Sequence, residues 1–131
     1  SYLIIGVCSS QYSNTKNNPF DFEERREMIT RSVHTKKPLN IVALPDIHNL
    51  DKWPEHVLSI VGQVDVLYSG NDIVCHAFQN ICEVKPVAVE LHISGSRLRE
   101  LIADNTQEWQ SLVPAAVSPI VKHHYGQSNT H

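Results

Sequence analysis

The sharpest chemical signal in the chain is the run Ser94-Gly95-Ser96-Arg97-Leu98-Arg99. Small residues where a helix begins expose backbone N–H groups and the positive end of the helix dipole. Two hydroxyls add donors, and Arg99, one turn in, can grip phosphate oxygens in bidentate fashion. That set suits a polyphosphate. It is also what an ordinary Ser N-cap followed by surface arginines looks like. Three other places carry similar ambiguity. Ser69-Gly70-Asn71 follows an apolar run: glycine lets backbone approach a ligand closely and asparagine can bond a base or ribose, yet the same residues make a tight turn. Asp46 follows Pro45, and Trp53 lies shortly after it. An indole there can stack on a flat heteroaromatic ring, more strongly on a cationic one, or simply belong to the core, with Asp46 a helix cap. Lys16, Arg25 and Arg26 can bring positive charge to the polar stretch 9–19, although the two arginines also read as solvated helix residues paired with nearby Glu.

Other chemistries lack their residues. There is no G-x-x-x-x-G-K-[ST], no G-x-G-x-x-G and no G-x-S-x-G in the chain. His34, His48, His56, His76 and His92 are scattered and read as surface or capping residues. His123-His124 near the end has no Cys or carboxylate at ligand spacing, so no protein-bound metal site is expected. Cys8, Cys75 and Cys82 are odd in number and widely spaced, which fits reduced thiols rather than a disulfide framework.

The elements that must position these residues alternate in type. Tyr2 to Cys8 is a continuous apolar run and reads as a strand buried on both faces. The stretch 9–19 is polar and turn-rich, and a loop of that length is often functional. Phe22 to Val33 has helical spacing, with Asp21 as N-cap and Glu24 three residues on. Asn40 to Leu44 is a second strand. Glu55 to Val61 is a short helix entered through Trp53 and Pro54. Val64 to Tyr68 is a third strand, Asp72 to Asn80 a helix, Cys82 to Leu91 a strand broken by Pro86, and Arg97 to Ala103 a helix. Val113 to His123 is a last helix kinked at Pro119, and the tail from Gly126 is expected to fray. Alternation of this kind predicts a single α/β domain with a Rossmann-like parallel sheet and helices on both faces. Ligands of such sheets bind outside the carboxyl ends of the strands. There the chain places Ser9-Ser10-Gln11, Pro45-Asp46 and Ser69-Gly70-Asn71.

Bulk properties agree. The 131 residues are 41% hydrophobic and 19% charged, an ordinary single domain. A net charge of −3 offers no field for nucleic acid but leaves room for a local basic pocket. No apolar run reaches the roughly 18 residues of a membrane span, and no secretory leader is evident. A cytoplasmic protein is expected, with no membrane partner.

Taken in order, Leu3–Gln11 (LIIGVCSSQ), Asn18–Phe20 (NPF), Glu24–Arg25, Pro45–Ile47 (PDI), Trp53, Tyr68–Asn71 (YSGN), Ile93–Arg99 (ISGSRLR) and Glu108–Val117 (EWQSLVPAAV) resemble archaeal-type nicotinamide-nucleotide adenylyltransferases along nearly the whole chain. The resemblance implies a nucleotidyltransferase that joins ATP to NMN, releasing NAD and pyrophosphate. It implies that Ser94, Gly95, Ser96 and Arg99 hold the ATP polyphosphate, with Arg99 and Ser96 acting in catalysis. The family usually has Thr at the Ser96 position, and Ser keeps the hydroxyl. Gly70 and Asn71 look like adenosine-side contacts. Asp46, Ile47 and Trp53 look like the nicotinamide-side pocket, and Ser9 and Ser10 resemble the segment beside the NMN phosphate. Many relatives carry Arg just before the NPF segment; here Asn17 stands there, with Lys16 adjacent as the cation for that phosphate. Mg²⁺ would be held mainly by ATP phosphates. A homo-oligomer is also implied.

Relatives open with a strand, an HxGH-type turn and a first helix. No HxGH occurs in these residues. The expectation is therefore a domain lacking that opening unit, roughly 30 residues, with little activity as the 131-residue chain alone. The alternatives are a nucleotide-binding module without catalysis, or a related nucleotidyltransferase using a different phosphorylated acceptor.

Overall fold

The computed structural model describes residues 2–88, 94–104 and 106–128, the side chains of 126–128 excepted. Strand β1 (Leu3–Cys8) runs into a long loop and then helix α1 (Phe22–Ser32), which returns the chain to β2 (Leu39–Leu44). β1 and β2 pair in parallel, in register from Leu3 opposite Leu39 to Cys8 opposite Leu44. Helix α2 (Trp53–Val61) leads to β3 (Val66–Ser69), and helix α3 (Asp72–Phe78) leads to β4 (Glu83–Pro86). β3 and β4 are again parallel, from Val66 opposite Glu83 to Ser69 opposite Pro86. Helix α4 (Gly95–Ala103), a 3₁₀ turn (Glu108–Ser111) and helix α5 (Ser118–Ser128) follow. This is the parallel α/β architecture expected. Among the described residues its strands form two two-stranded ladders, β1–β2 and β3–β4.

Local chemistry sets the helix starts. Asp21 accepts from the Glu24 amide at 2.7 Å, and Glu24 accepts in return from the Asp21 amide at 3.1 Å, so α1 opens with a full capping box. Asn71 caps α3 by accepting from the amides of Ile73 and Val74. Ser94 caps α4 by accepting from the Arg97 amide at 3.1 Å. Pro54 lies in the first turn of α2, where no helical hydrogen bond is lost.

Four expectations change. β1 is not buried on both faces: Val7 is buried but Leu3 is 37% exposed, because only β2 pairs with it among the described residues. α5 begins at Ser118 rather than Val113, which puts Pro119 in its first turn and removes the reason for a kink. It continues to Ser128, through Gly126, where a frayed tail was expected; 129–131 lie outside the described residues. β4 ends at Pro86, although the Val87 amide still donates to the Ser69 carbonyl at 2.9 Å, and 89–91 of the expected strand lie outside the described residues.

Two apolar clusters hold the fold. Leu44, Val57 and Phe78 are the buried centre of the first, with Val42, Leu67 and Val84 from the strands packed around them. Leu101, Trp109 and Val121 centre the second, with Phe20, Met28 and Leu98 around them. The second cluster is the floor on which α4, α5 and the start of α1 meet. At β1 the packing is close: a Cβ on Gly6 would lie 2.4 Å from Leu44 Cδ1, so a larger residue there would have to push the buried Leu44 side chain aside. Phe78 is 1% exposed, so Phe78→Ala is expected to lower stability by about 3–5 kcal/mol, read as a reduced urea midpoint at unchanged slope.

Candidate phosphate-binding site

Arg99 and Ser96 sit on the first turns of α4, at one wall of a cavity of about 780 Å³. The loop that follows β1 also lines it, through Asn14, Thr15, Lys16, Asn17 and Pro19, as do His124 and Tyr125 of α5. Arg99 Nη2 donates to Ser96 Oγ at 3.2 Å. A Cβ at position 95 would come within 3.1 Å of Arg99 Nη1. The missing side chain of Gly95 therefore lets the guanidinium lie close to the helix start. Ser94 lies beneath as the cap. The result is two cations and a hydroxyl converging near a helix N-terminus, an arrangement that favours phosphate oxygens. Arg99 is felt locally: burial pushes the Tyr125 phenol above its ordinary pKa, Arg99 opposes that rise, and Glu24 adds to it. Glu100 and Asp104 also line the cavity. Among the described residues no three His, Cys, Asp or Glu gather to hold a metal ion.

A second group forms at the carboxyl ends of β1 and β2. Arg25 is its anchor. Its Nη1 donates to the Cys8 carbonyl at 2.8 Å, and its Nη2 donates to the Ser9 and Tyr12 carbonyls at 3.1 Å each. This corrects the expectation of a solvated arginine paired with Glu, which holds only for Arg26, 3.7 Å from Glu23. The strap holds Ser9 at φ 51°, in the left-handed region. The Gln11 carboxamide then bridges to β2, donating to the Asp46 carbonyl and accepting from the Asp46 amide, both at 2.9 Å. Asp46 Oδ1 accepts from the His48 amide at 2.9 Å. The Tyr12 hydroxyl meets His48 Nε2 at 2.7 Å. These bonds support His48 at φ 55°. Trp53, at the start of α2, lies with its ring 5.4 Å from that of His56, whose Nε2 is 3.0 Å from the Pro45 carbonyl. Cys8 lies against this group: desolvation pushes its thiol above the ordinary value, the Asp46 carboxylate pushes it further, and Arg25 works the other way.

The residues singled out from sequence thus fall in three places. Lys16, Ser96 and Arg99 line one cavity, with Ser94 and Gly95 shaping its helix start. Ser9, Ser10, Asp46, Ile47 and Trp53 belong to the region where β1 and β2 end. Gly70 and Asn71 follow β3. There the Asn71 side-chain oxygen is engaged as the α3 cap, a role not assigned to it from the sequence. A Cβ at Gly70 would meet only the Val87 carbonyl, at 3.6 Å, so the backbone there does not require glycine. His124, Tyr125 and the strap of Arg25 were not foreseen. His124 meets Glu24 across 100 residues of chain, a separation that no local spacing encodes.

No protein-family profile matches the chain. Individual relatives do. The nicotinamide-nucleotide adenylyltransferase of Thermococcus kodakarensis is 32% identical over 127 residues, covering 92% of this chain and 67% of its own length. That of Methanosphaerula palustris is 34% identical over 125 residues, with 92% and 73% covered. That of Methanospirillum hungatei is 35% identical over 124 residues, with 92% and 71% covered.

The geometry around Cys8 generates a direct prediction. A raised thiol pKa leaves less thiolate, the reactive form, at a given pH. Asp46→Asn removes one of the raising charges, so the pH midpoint of Cys8 alkylation is expected to fall in that variant, as followed by peptide mass spectrometry. A midpoint unchanged from the parent would contradict the contact.

Proposed function

The chain belongs to the nicotinamide-nucleotide adenylyltransferase family, and from that membership we propose how its residues serve the joining of ATP to NMN. As an enzyme of the nucleotidyltransferase kind it has to bring two anionic phosphates together and let pyrophosphate leave. The NMN phosphate oxygen attacks the α-phosphorus of ATP in line, a new P–O bond forms, and the bond to the β-phosphate bridging oxygen breaks. No covalent intermediate with the protein is needed. Catalysis then consists of positioning the reactants and neutralising charge as it moves onto pyrophosphate.

In this reading the ATP polyphosphate lies in the cavity of Arg99, Ser96 and Lys16, against the N-terminus of α4. The single observation that carries it is the convergence of these three side chains, from segments distant in sequence, on one 780 Å³ cavity. Arg99 donates to the oxygens that gain charge. The backbone beneath it is stiffened by the Ser94 cap, so little reorganisation is needed as the charge shifts. The NMN side is assigned to the strapped ends of β1 and β2, with Ser9 and Ser10 beside its phosphate. Asp46 and Ile47 border the nicotinamide, and Trp53 offers an indole face to the pyridinium ring, a cation–π partner. Gly70 and Asn71 are assigned to the adenosine. Mg²⁺ bound to ATP, held mainly by the phosphates, would supply additional charge neutralisation there. A cytoplasmic homo-oligomer completes the proposal; no helix among the described residues is long and apolar enough to cross a membrane.

The test is isothermal titration with NAD, alongside NAD formation from ATP, NMN and Mg²⁺. Arg99→Gln is expected to weaken NAD binding about tenfold or more and to lower kcat about 10²-fold. Trp53→Ala is expected to raise the KM for NMN more than it lowers kcat. Parent-like binding and turnover in Arg99→Gln would overturn the assignment of the phosphate site.

A further inference from the structure

We propose that His124 is a phosphate-contacting residue of this cavity, oriented by Glu24; the proposal rests on reading the Lys16, Ser96 and Arg99 cavity as the phosphate site. The two residues come from opposite ends of the chain. Glu24 is the third residue of α1, where its other carboxylate oxygen already completes the capping box. His124 lies on α5, and its Nδ1 stands 2.6 Å from Glu24 Oε2. The pair is shielded, with side chains 12% and 24% exposed, and the Phe20 ring lies 4.9 Å from the imidazole. These neighbours hold the ring at the cavity that Arg99 and Ser96 also line.

That geometry has a chemical consequence. A carboxylate accepting from Nδ1–H fixes the neutral tautomer and makes Nε2 the basic nitrogen. Protonation of Nε2 then turns the ring into a charged donor suited to a phosphate oxygen. Among the described residues, the charged and titratable groups that contact it or line the same cavity include Glu24 on α1, Arg99, Glu100 and Asp104 on α4, Tyr125 on α5 and Lys16 in the loop. A phosphate anion bound against Nε2 would favour the protonated ring. Ligand binding and protonation of His124 should therefore reinforce each other.

Calorimetric titration with tripolyphosphate and with NAD, at about pH 6 and about pH 8, compares the parent chain with His124→Asn, His124→Gln, Glu24→Gln and Arg99→Gln. Asn places an amide near the position of Nδ1 and keeps the bond to Glu24 while removing the charge. Gln places one near Nε2 and keeps a neutral donor toward the cavity. His124→Asn is expected to bind tripolyphosphate about tenfold more weakly at the lower pH, with a smaller deficit at the higher. His124→Gln is expected to match the parent at the higher pH and fall behind at the lower. Thermal unfolding establishes that each variant is folded, and either His124 variant alone suffices if the other is not. Parent-like affinity at both pH values in a folded His124 variant would overturn the inference, as would a deficit equal at both, which is what a purely structural role gives. If Arg99→Gln binds like the parent, the reading of the cavity itself fails, whatever His124 does.

Discussion

The structure depends most on one guanidinium. Arg25 is fixed to α1, and its donors are satisfied by the carbonyls of Cys8, Ser9 and Tyr12. A strand end leaves carbonyls without ladder partners, and leaving them unsatisfied under a helix would be costly. Arg25 satisfies several at once with a single planar group, which a lysine could not do in the same geometry. The chain leaving β1 is thereby turned sharply at Ser9. Gln11 can then reach Asp46, just past the end of the neighbouring strand, and the 14–19 segment is carried over to α4. The cavity wall that bears Lys16 follows from a bond made at the other end of the loop.

A second constraint comes from the packing of α4 and α5 over Leu101, Trp109 and Val121. It brings Arg99, Tyr125 and His124 to one surface. The Glu24–His124 contact ties that surface to the first turn of α1. The same helix thus anchors both halves of the site, through Arg25 to the strand ends and through Glu24 to the cavity. On the proposed reading a net charge of −3 would be no obstacle to holding a phosphate, because cations beside a bound anion outweigh distant surface carboxylates screened by water.

Much of this was legible in the sequence, for definite reasons. Asp21 with Glu24 is a local capping signal, and it appears where spacing puts it. The Ser94-Gly95-Ser96 start of α4 is equally local, and so is the apolar run of β1. What was not legible depended on tertiary context. Pro119 in an apolar helical run suggests a kink until the turn closed by the Val117 amide on the Pro114 carbonyl delays the helix to Ser118 and makes that proline a first-turn residue. Arg25 looks like any solvated helix arginine unless the return of the loop over α1 is known. His124 was set aside because its own neighbours in sequence offer no partner; its partner is on α1. At Asn71 the capping bonds to α3 are a structural role that its position in a turn did not announce, and at Arg99 the company of Lys16 at the same cavity is a tertiary fact that local spacing does not carry.

The most direct measurement is a crystal structure of the chain soaked with NAD, since the product carries both phosphates in their final linkage. The account predicts density for the diphosphate within hydrogen-bond distance of Arg99 and Ser96, with the nicotinamide ring toward Trp53. A diphosphate bound elsewhere, with the Arg99 guanidinium still resting on Ser96 and touching no ligand atom, would contradict it.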